Sequence, residues 1–109
     1  MKQTKYQYEV YVERKLMKEI KGFGFYVWRS ADSRSPVDIY VCHFLEGEMW
    51  VFRVKRVNKI KDVYNSDNTE KLWVKKEIEK FQKAQIPNWW KKILAVYVNE
   101  KKDFDMFMI

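Results

Sequence analysis

Glu13 is the first residue of this chain with the makings of a functional site. Leu16, Met17 and Ile20 follow it at three, four and seven positions, so on a helix it lies on the apolar face. Burying a carboxylate without a partner costs several kcal/mol, so a cation must meet it there: a metal ion, a lysine or an arginine. Asp38 is the second such residue, at the start of an apolar run just after the loop Arg29, Ser30, Ala31, Asp32, Ser33, Arg34, Ser35, Pro36. Further on, Val51, Arg53 and Lys55 alternate onto one face of a strand, so two cations project together from a hydrophobic segment. On a buried sheet face they need anions opposite them, and Glu13 and Asp38 are the candidates. A structural ion pair satisfies Glu13 equally well.

The elements that must position these residues follow from periodicity and punctuation. Over 6–21, Tyr6, Val10, Leu16, Met17 and Ile20 recur at helical spacing, and Gly22 ends the segment. A short aromatic and β-branched run at 25–28 predicts a strand, and the serine-rich loop after it is a place for ligand contacts. Strands at 37–45 and 49–57 are joined by Glu46, Gly47 and Glu48, a connection short enough for an antiparallel hairpin. The stretch 58–69 is polar and reads as a mobile loop. At 70–85, Val74, Ile78 and Phe81 give a second helix closed by Pro87. The near-continuous apolar run 93–98 predicts a buried strand, and 103–109 a final edge strand. The order is αβββαβ(β): an α/β fold with a mixed sheet and at least one helix packed on it.

Length and composition set the outer bounds. The chain has 109 residues, 47% of them hydrophobic and 17% aromatic, with three Gly and two Pro, which predicts one folded domain over 1–109 and no disordered linker. A formal charge of +7 favours a polyanionic partner such as nucleic acid, though charge also serves simple solubility. One cysteine, Cys42, rules out an internal disulfide. With one histidine, His43, it also rules out a zinc site built only of Cys and His. Cys42 and His43 are strand neighbours on opposite faces, unsuited to act as nucleophile and base, and read as packing residues. No apolar run is long enough to span a bilayer and the first residues carry no signal core, so an intracellular, reducing compartment is expected.

Taken together, Glu13 and Arg14; Gly22 and Phe23; Val27 through Ser33; Val37, Asp38 and Ile39; and Val54 with Lys55 form a pattern that resembles the archaeal Holliday junction resolvases of the PD-(D/E)XK nuclease superfamily. The stretches 72–77 and 94–96 are similar to that family's second helix and following strand, so the resemblance covers most of the chain. It implies a restriction-endonuclease-like core in which Glu13 and Asp38 hold Mg²⁺ and Lys55 orients or activates the attacking water. The chemistry would be phosphodiester cleavage in recombination. It further implies that Arg14, Arg29 and Ser30 contact the scissile strand, that the substrate is branched or junction DNA, and that the protein is a homodimer. The remaining DNA-binding candidates are Arg34, Arg53, Arg56, Lys59, Lys75 and Lys76, which suit phosphate contact.

One position departs from the family pattern. An acid is expected two residues before Lys55, and the chain has Arg53. A guanidinium about 4 Å from Mg²⁺ would be repelled by roughly 8 kcal/mol at an effective dielectric near 20. Either another acid, Glu48, Glu46 or Asp32, reaches inward, or Arg53 stands in for the ion, pairing with Asp38 and Glu13 in a catalytically silent DNA-binding fold. A third class of function is a protein-interaction module using the tryptophans and the apolar Phe104, Phe107 and Ile109. Trp89 and Trp90, beside Lys91 and Lys92, suit base stacking, a partner surface or simple core packing.

Overall fold

In the computed structural model the described residues are 5–32, 34–43 and 45–109, with side chains from Gln7 onward. The Tyr6 side chain and Ser33, both used in the sequence reading, lie outside them. Helix α1, Lys5–Lys21, leads into strands β1, Tyr26–Arg29, β2, Ile39–His43, and β3, Glu48–Val57. Helix α2, Leu72–Gln82, then carries the chain to β4, Lys91–Val98, and β5, Asp103–Met108. The five strands form one mixed sheet in chain order. All neighbouring pairs are antiparallel except β3 with β4, where the crossover through α2 makes the pair parallel.

The two helices cover opposite faces, as the alternation along β4 makes plain. Ile93, Ala95 and Tyr97 join Val12 and Leu16 of α1 in one core cluster with Ile39, Val41, Phe52 and Phe104. Leu94, Val96 and Val98 join Val74 of α2 in another. A strand buried on both faces must be apolar at every position, which is why 93–98 reads as an unbroken hydrophobic run. The buried stripe of α1 is Val12 and Leu16 with Tyr8, Met17 and Ile20 against them. Val10 is only half-buried, so the four-residue step through Val12, not Val10, sets the helix on the sheet. The β2–β3 hairpin turns through Gly47, whose φ of 66° lies in the left-handed region that disfavours a Cβ.

The polar stretch 58–69 is structured. It holds a single 3₁₀ turn at Ile60–Asp62 and then Val63, which is fully buried among Val74, Leu94, Val96 and Val98. The Trp73 indole N–H donates to the Asp62 carbonyl at 2.8 Å, and Tyr64 bridges Glu70. One buried valine and these bonds fix a segment whose polar composition suggests a loose loop. At the far edge of the sheet, Phe104 is buried and Phe107 and Ile109 pack against the α2-side core. The exposed apolar side chains of β5 are Met106 and Met108.

Candidate functional site

The end of β1, the start of β2 and the second half of β3 meet at one end of the sheet. The Ser30 N–H donates to the Asp38 carbonyl at 2.9 Å, and the Asp38 N–H to the Phe52 carbonyl at 2.8 Å. Helix α1 crosses this end and contributes Glu9 and Glu13. Together they line a cleft of about 450 Å³, with Arg29, Ser30, Asp32, Asp38, Arg53, Lys55 and Arg56 on its walls. The four residues expected to do catalysis, Glu13, Ser30, Asp38 and Lys55, thus share one cavity.

Each of the two half-buried carboxylates is met by a guanidinium. Arg29 Nε donates to Glu13 Oε2 at 2.5 Å, and the Glu13 side chain is 13% exposed. Arg53 Nη1 donates to Asp38 Oδ1 at 3.4 Å, while the Val54 N–H donates to the other oxygen at 2.8 Å. Desolvation pushes both carboxyls above their ordinary range. The Arg29 hydrogen bond offsets it in part at Glu13, as do the Val54 N–H and then the Arg53 charge at Asp38. Both groups therefore carry a cost when ionised.

The expectation that Arg53 would pair with both Asp38 and Glu13 holds only for Asp38. Glu13 is taken by Arg29. The second carboxylate beside Arg53 is Glu77 of α2, 4.0 Å from Arg53 Nε and 3.7 Å from Lys55 Nζ. Arg53 and Lys55 project with Val51 from the face that α2 covers, and α1 covers the other, so α2 supplies the nearer acid. Glu77 stands three residues after Val74 and four before Phe81, on the helix's buried stripe. The rule that singles out Glu13 on α1 singles out Glu77 as well.

The acids that might have replaced the missing ligand do not gather here. Glu48 accepts from the Trp50 indole and pairs with Lys91, and Glu46 lies 3.8 Å from His43. Glu48 sits seven residues before Lys55 along β3, on the order of 23 Å away. Asp32 lines the cleft but is held by the Arg34 N–H and Nε. Among the described residues no group of three or more Asp, Glu, His or Cys side chains is placed to share an ion. The donor set, two carboxylates each engaged by a guanidinium with Arg53 beside them, does not fit a divalent cation while both arginines stay where they are.

Two further depressions adjoin the cleft through these same arginines. One, of about 480 Å³, is lined by Arg14, Met17, Lys18, Lys21 and Arg29. The other, of about 210 Å³, is lined by Arg34, Ser35, Pro36, Arg53, Glu77, Lys80 and Phe81. Arg29 and Arg53 are thus shared walls, and the three cavities form one basic trough across the molecule. Arg14, Arg29, Arg34, Arg53 and Arg56 lie along it. Lys59, at the entry to the 3₁₀ turn, and Lys75 and Lys76, exposed on α2, line none of the three. Lys80, which sequence groups with Lys75, Lys76 and Lys83 as either phosphate-contacting or merely solvated, belongs to it, as do Lys18 and Lys21, which were not among the residues expected from sequence. Their signal is the spacing of Lys18 and Lys21 from Arg14 on one helix face.

Fold and cleft define an α/β protein with a five-stranded mixed sheet and an internally neutralised, arginine-walled cleft. No protein-family model matches the chain, and no curated protein matches it. No helix among the described residues is long and apolar enough to cross a membrane.

Proposed function

We propose that the chain binds DNA, branched or duplex, by its phosphate backbone, on a restriction-endonuclease-like, resolvase-like core in which a guanidinium takes the metal's place. The observation that carries this reading is Arg53 at the head of the cleft, beside Asp38 and Glu77. The resemblance to resolvases expects an acid and a metal ion at that point. An arginine there preserves the charge balance around Asp38 without an ion and presents a phosphate-binding group at the junction of two cavities. Arg29 does the same for Glu13. The rows of Arg14, Lys18 and Lys21 on one side and Arg34 and Lys80 on the other supply the path for the backbone. In this reading the protein is intracellular and pairs as a homodimer, with Met106 and Met108 on the open β5 edge as the apolar surface available for pairing. Sedimentation of the purified chain tests the pairing.

The convergence of Glu13, Asp38 and Lys55 in one cavity favours a second reading, Mg²⁺-dependent cleavage. It requires Arg53 and Arg29 to leave the carboxylates when DNA arrives. The deciding experiment incubates the protein with a labelled four-way junction and a linear duplex in Mg²⁺, in Mn²⁺ and in EDTA, scoring binding and cleavage together. Binding that is equal in all three without nicking supports the silent binder. Metal-dependent nicking lost in Asp38→Ala establishes the nuclease instead. A folded protein that binds neither DNA at physiological salt points to a protein-interaction module.

A further inference from the structure

Four aromatic rings run in series across the α2-side face of the sheet, starting at the end of α2 that carries Phe81. Trp28 of β1 stacks on Tyr40 of β2 with centroids 5.7 Å apart and planes 10° from parallel. Tyr40 meets Trp90 edge-on at 6.4 Å, and Trp90 meets Trp89 edge-on at 5.8 Å. The inner two rings are anchored, since Tyr40 and Trp90 pack against the buried cluster of Val37, Val51 and Phe81. The outer two are not: Trp28 is 44% and Trp89 65% exposed. Burying the Tyr40 and Trp90 rings would have satisfied the core; the core has no use for Trp28 and Trp89 at the two ends. Large apolar rings left in water at both ends of an anchored row mark a contact surface.

Its surroundings say what chemistry the contact has. Phe81 belongs both to the cluster under the row and to the basic cavity of Arg34, Lys80 and Arg53. Lys92, opposite Val51 and on the same face of the sheet as the row, donates to the Gln82 carbonyl at the end of α2, whereas Lys91 turns to the other face and pairs with Glu48. The row is therefore bordered by cations and opens from the trough. A protein partner's apolar patch would gain nothing from that border, whereas a nucleic-acid strand has anionic phosphates for the trough and flat bases for the rings.

We infer that the row Trp28–Tyr40–Trp90–Trp89 is a stacking platform for unpaired bases of a DNA strand whose backbone lies in the adjoining trough. This rests on the reading of the chain as a DNA binder and adds what it recognises: bases freed from the duplex, as at a branch point or a single-stranded end. Stacking on exposed rings is tolerant of sequence, so the platform selects for unpaired structure and not for a base order.

The test compares three probes on the full chain: an oligo-dT strand, an abasic strand of equal length, and a linear duplex. Oligo-dT should bind more tightly than the abasic strand and quench tryptophan fluorescence. Trp28→Ala and Trp89→Ala, both at exposed positions, should each weaken oligo-dT binding by roughly five- to a hundredfold. Abasic and duplex affinities should stay unchanged, and Trp28→Phe should retain most of the preference. Circular dichroism of each variant checks the fold. Equal binding of oligo-dT and abasic strands by the unaltered protein, with duplex binding intact, overturns the platform and leaves the DNA-binding reading standing. Failure to bind any of the three overturns both. Concentration-dependent self-association lost in Trp28→Ala, with oligo-dT affinity unchanged, assigns the surface to a second copy and overturns the platform too.

Discussion

Asp38 and Glu13 are held at a cost. Burial raises both pKa values above those of the unfolded chain, so each contributes stability that is fully present below the unfolded pKa and is lost as pH rises through the folded value. The pair therefore weakens the fold at neutral pH relative to mildly acid pH. Asp38→Asn, which can still accept from the Val54 N–H, should melt a few degrees above the unaltered protein near pH 7. The gain should shrink as pH falls toward the ordinary Asp value of 3.8 and vanish well below it, where Asp38 is protonated in both states; thermal melts across that range measure it. Arg53→Ala acts in the opposite sense. It strips Asp38 and Glu77 of a shared cation and should lower stability by about 2 kcal/mol in urea unfolding, part of which Asp38→Asn restores in the double variant. Sequence reading reaches Glu13, Asp38, Arg53 and Lys55 because polar residues on apolar faces announce themselves by spacing. It pairs Arg53 with Asp38 as the structure does but gives it Glu13 in place of Glu77, because that pairing depends on which helix covers which face of the sheet, and the whole packing arrangement settles it.

At the scale of elements, the strands and helices whose pattern is dictated by burial on two faces or one are the legible ones. The run 93–98 and the stripe Val74–Ile78–Phe81 announce β4 and α2 directly. Strand β2 begins at Ile39 and not at Val37. Val37 itself is buried against α2 beside Phe81, so its apolar character reflects packing outside the sheet ladder. The segment 58–69 is illegible for the converse reason: one valine in a polar stretch leaves no period to detect, yet that valine anchors it. Val63→Ala should cost about 2 kcal/mol. In hydrogen exchange, the amides around Lys71, whose N–H donates to the Val63 carbonyl at 2.8 Å, should open well before the β4 amides do.

At the scale of the molecule, the trough makes DNA affinity a matter of counterion release. Arg14, Lys18, Lys21, Arg56 and Lys80 line it without a carboxylate partner among the described residues. About five phosphate contacts predict a slope of about −4 to −5 for log K against log salt on duplex DNA. Lys18→Glu and Lys21→Glu should each flatten that slope by about one unit without altering preference between sequences. A slope near zero would mean the trough does not hold the backbone. The sheet's one parallel seam has a kinetic side. Strands β1 to β3 form a meander and β4 with β5 a hairpin, each closed by short connections, whereas Trp50 and Lys91 come together across forty-one positions of chain at the β3–β4 seam. Local units form fast and distant pairings slowly, so zipping of the two halves along that seam should be the late event in refolding. A chain cut within 65–69 should accordingly yield two fragments that recover the native circular dichroism only when mixed, at a rate that rises with their concentration.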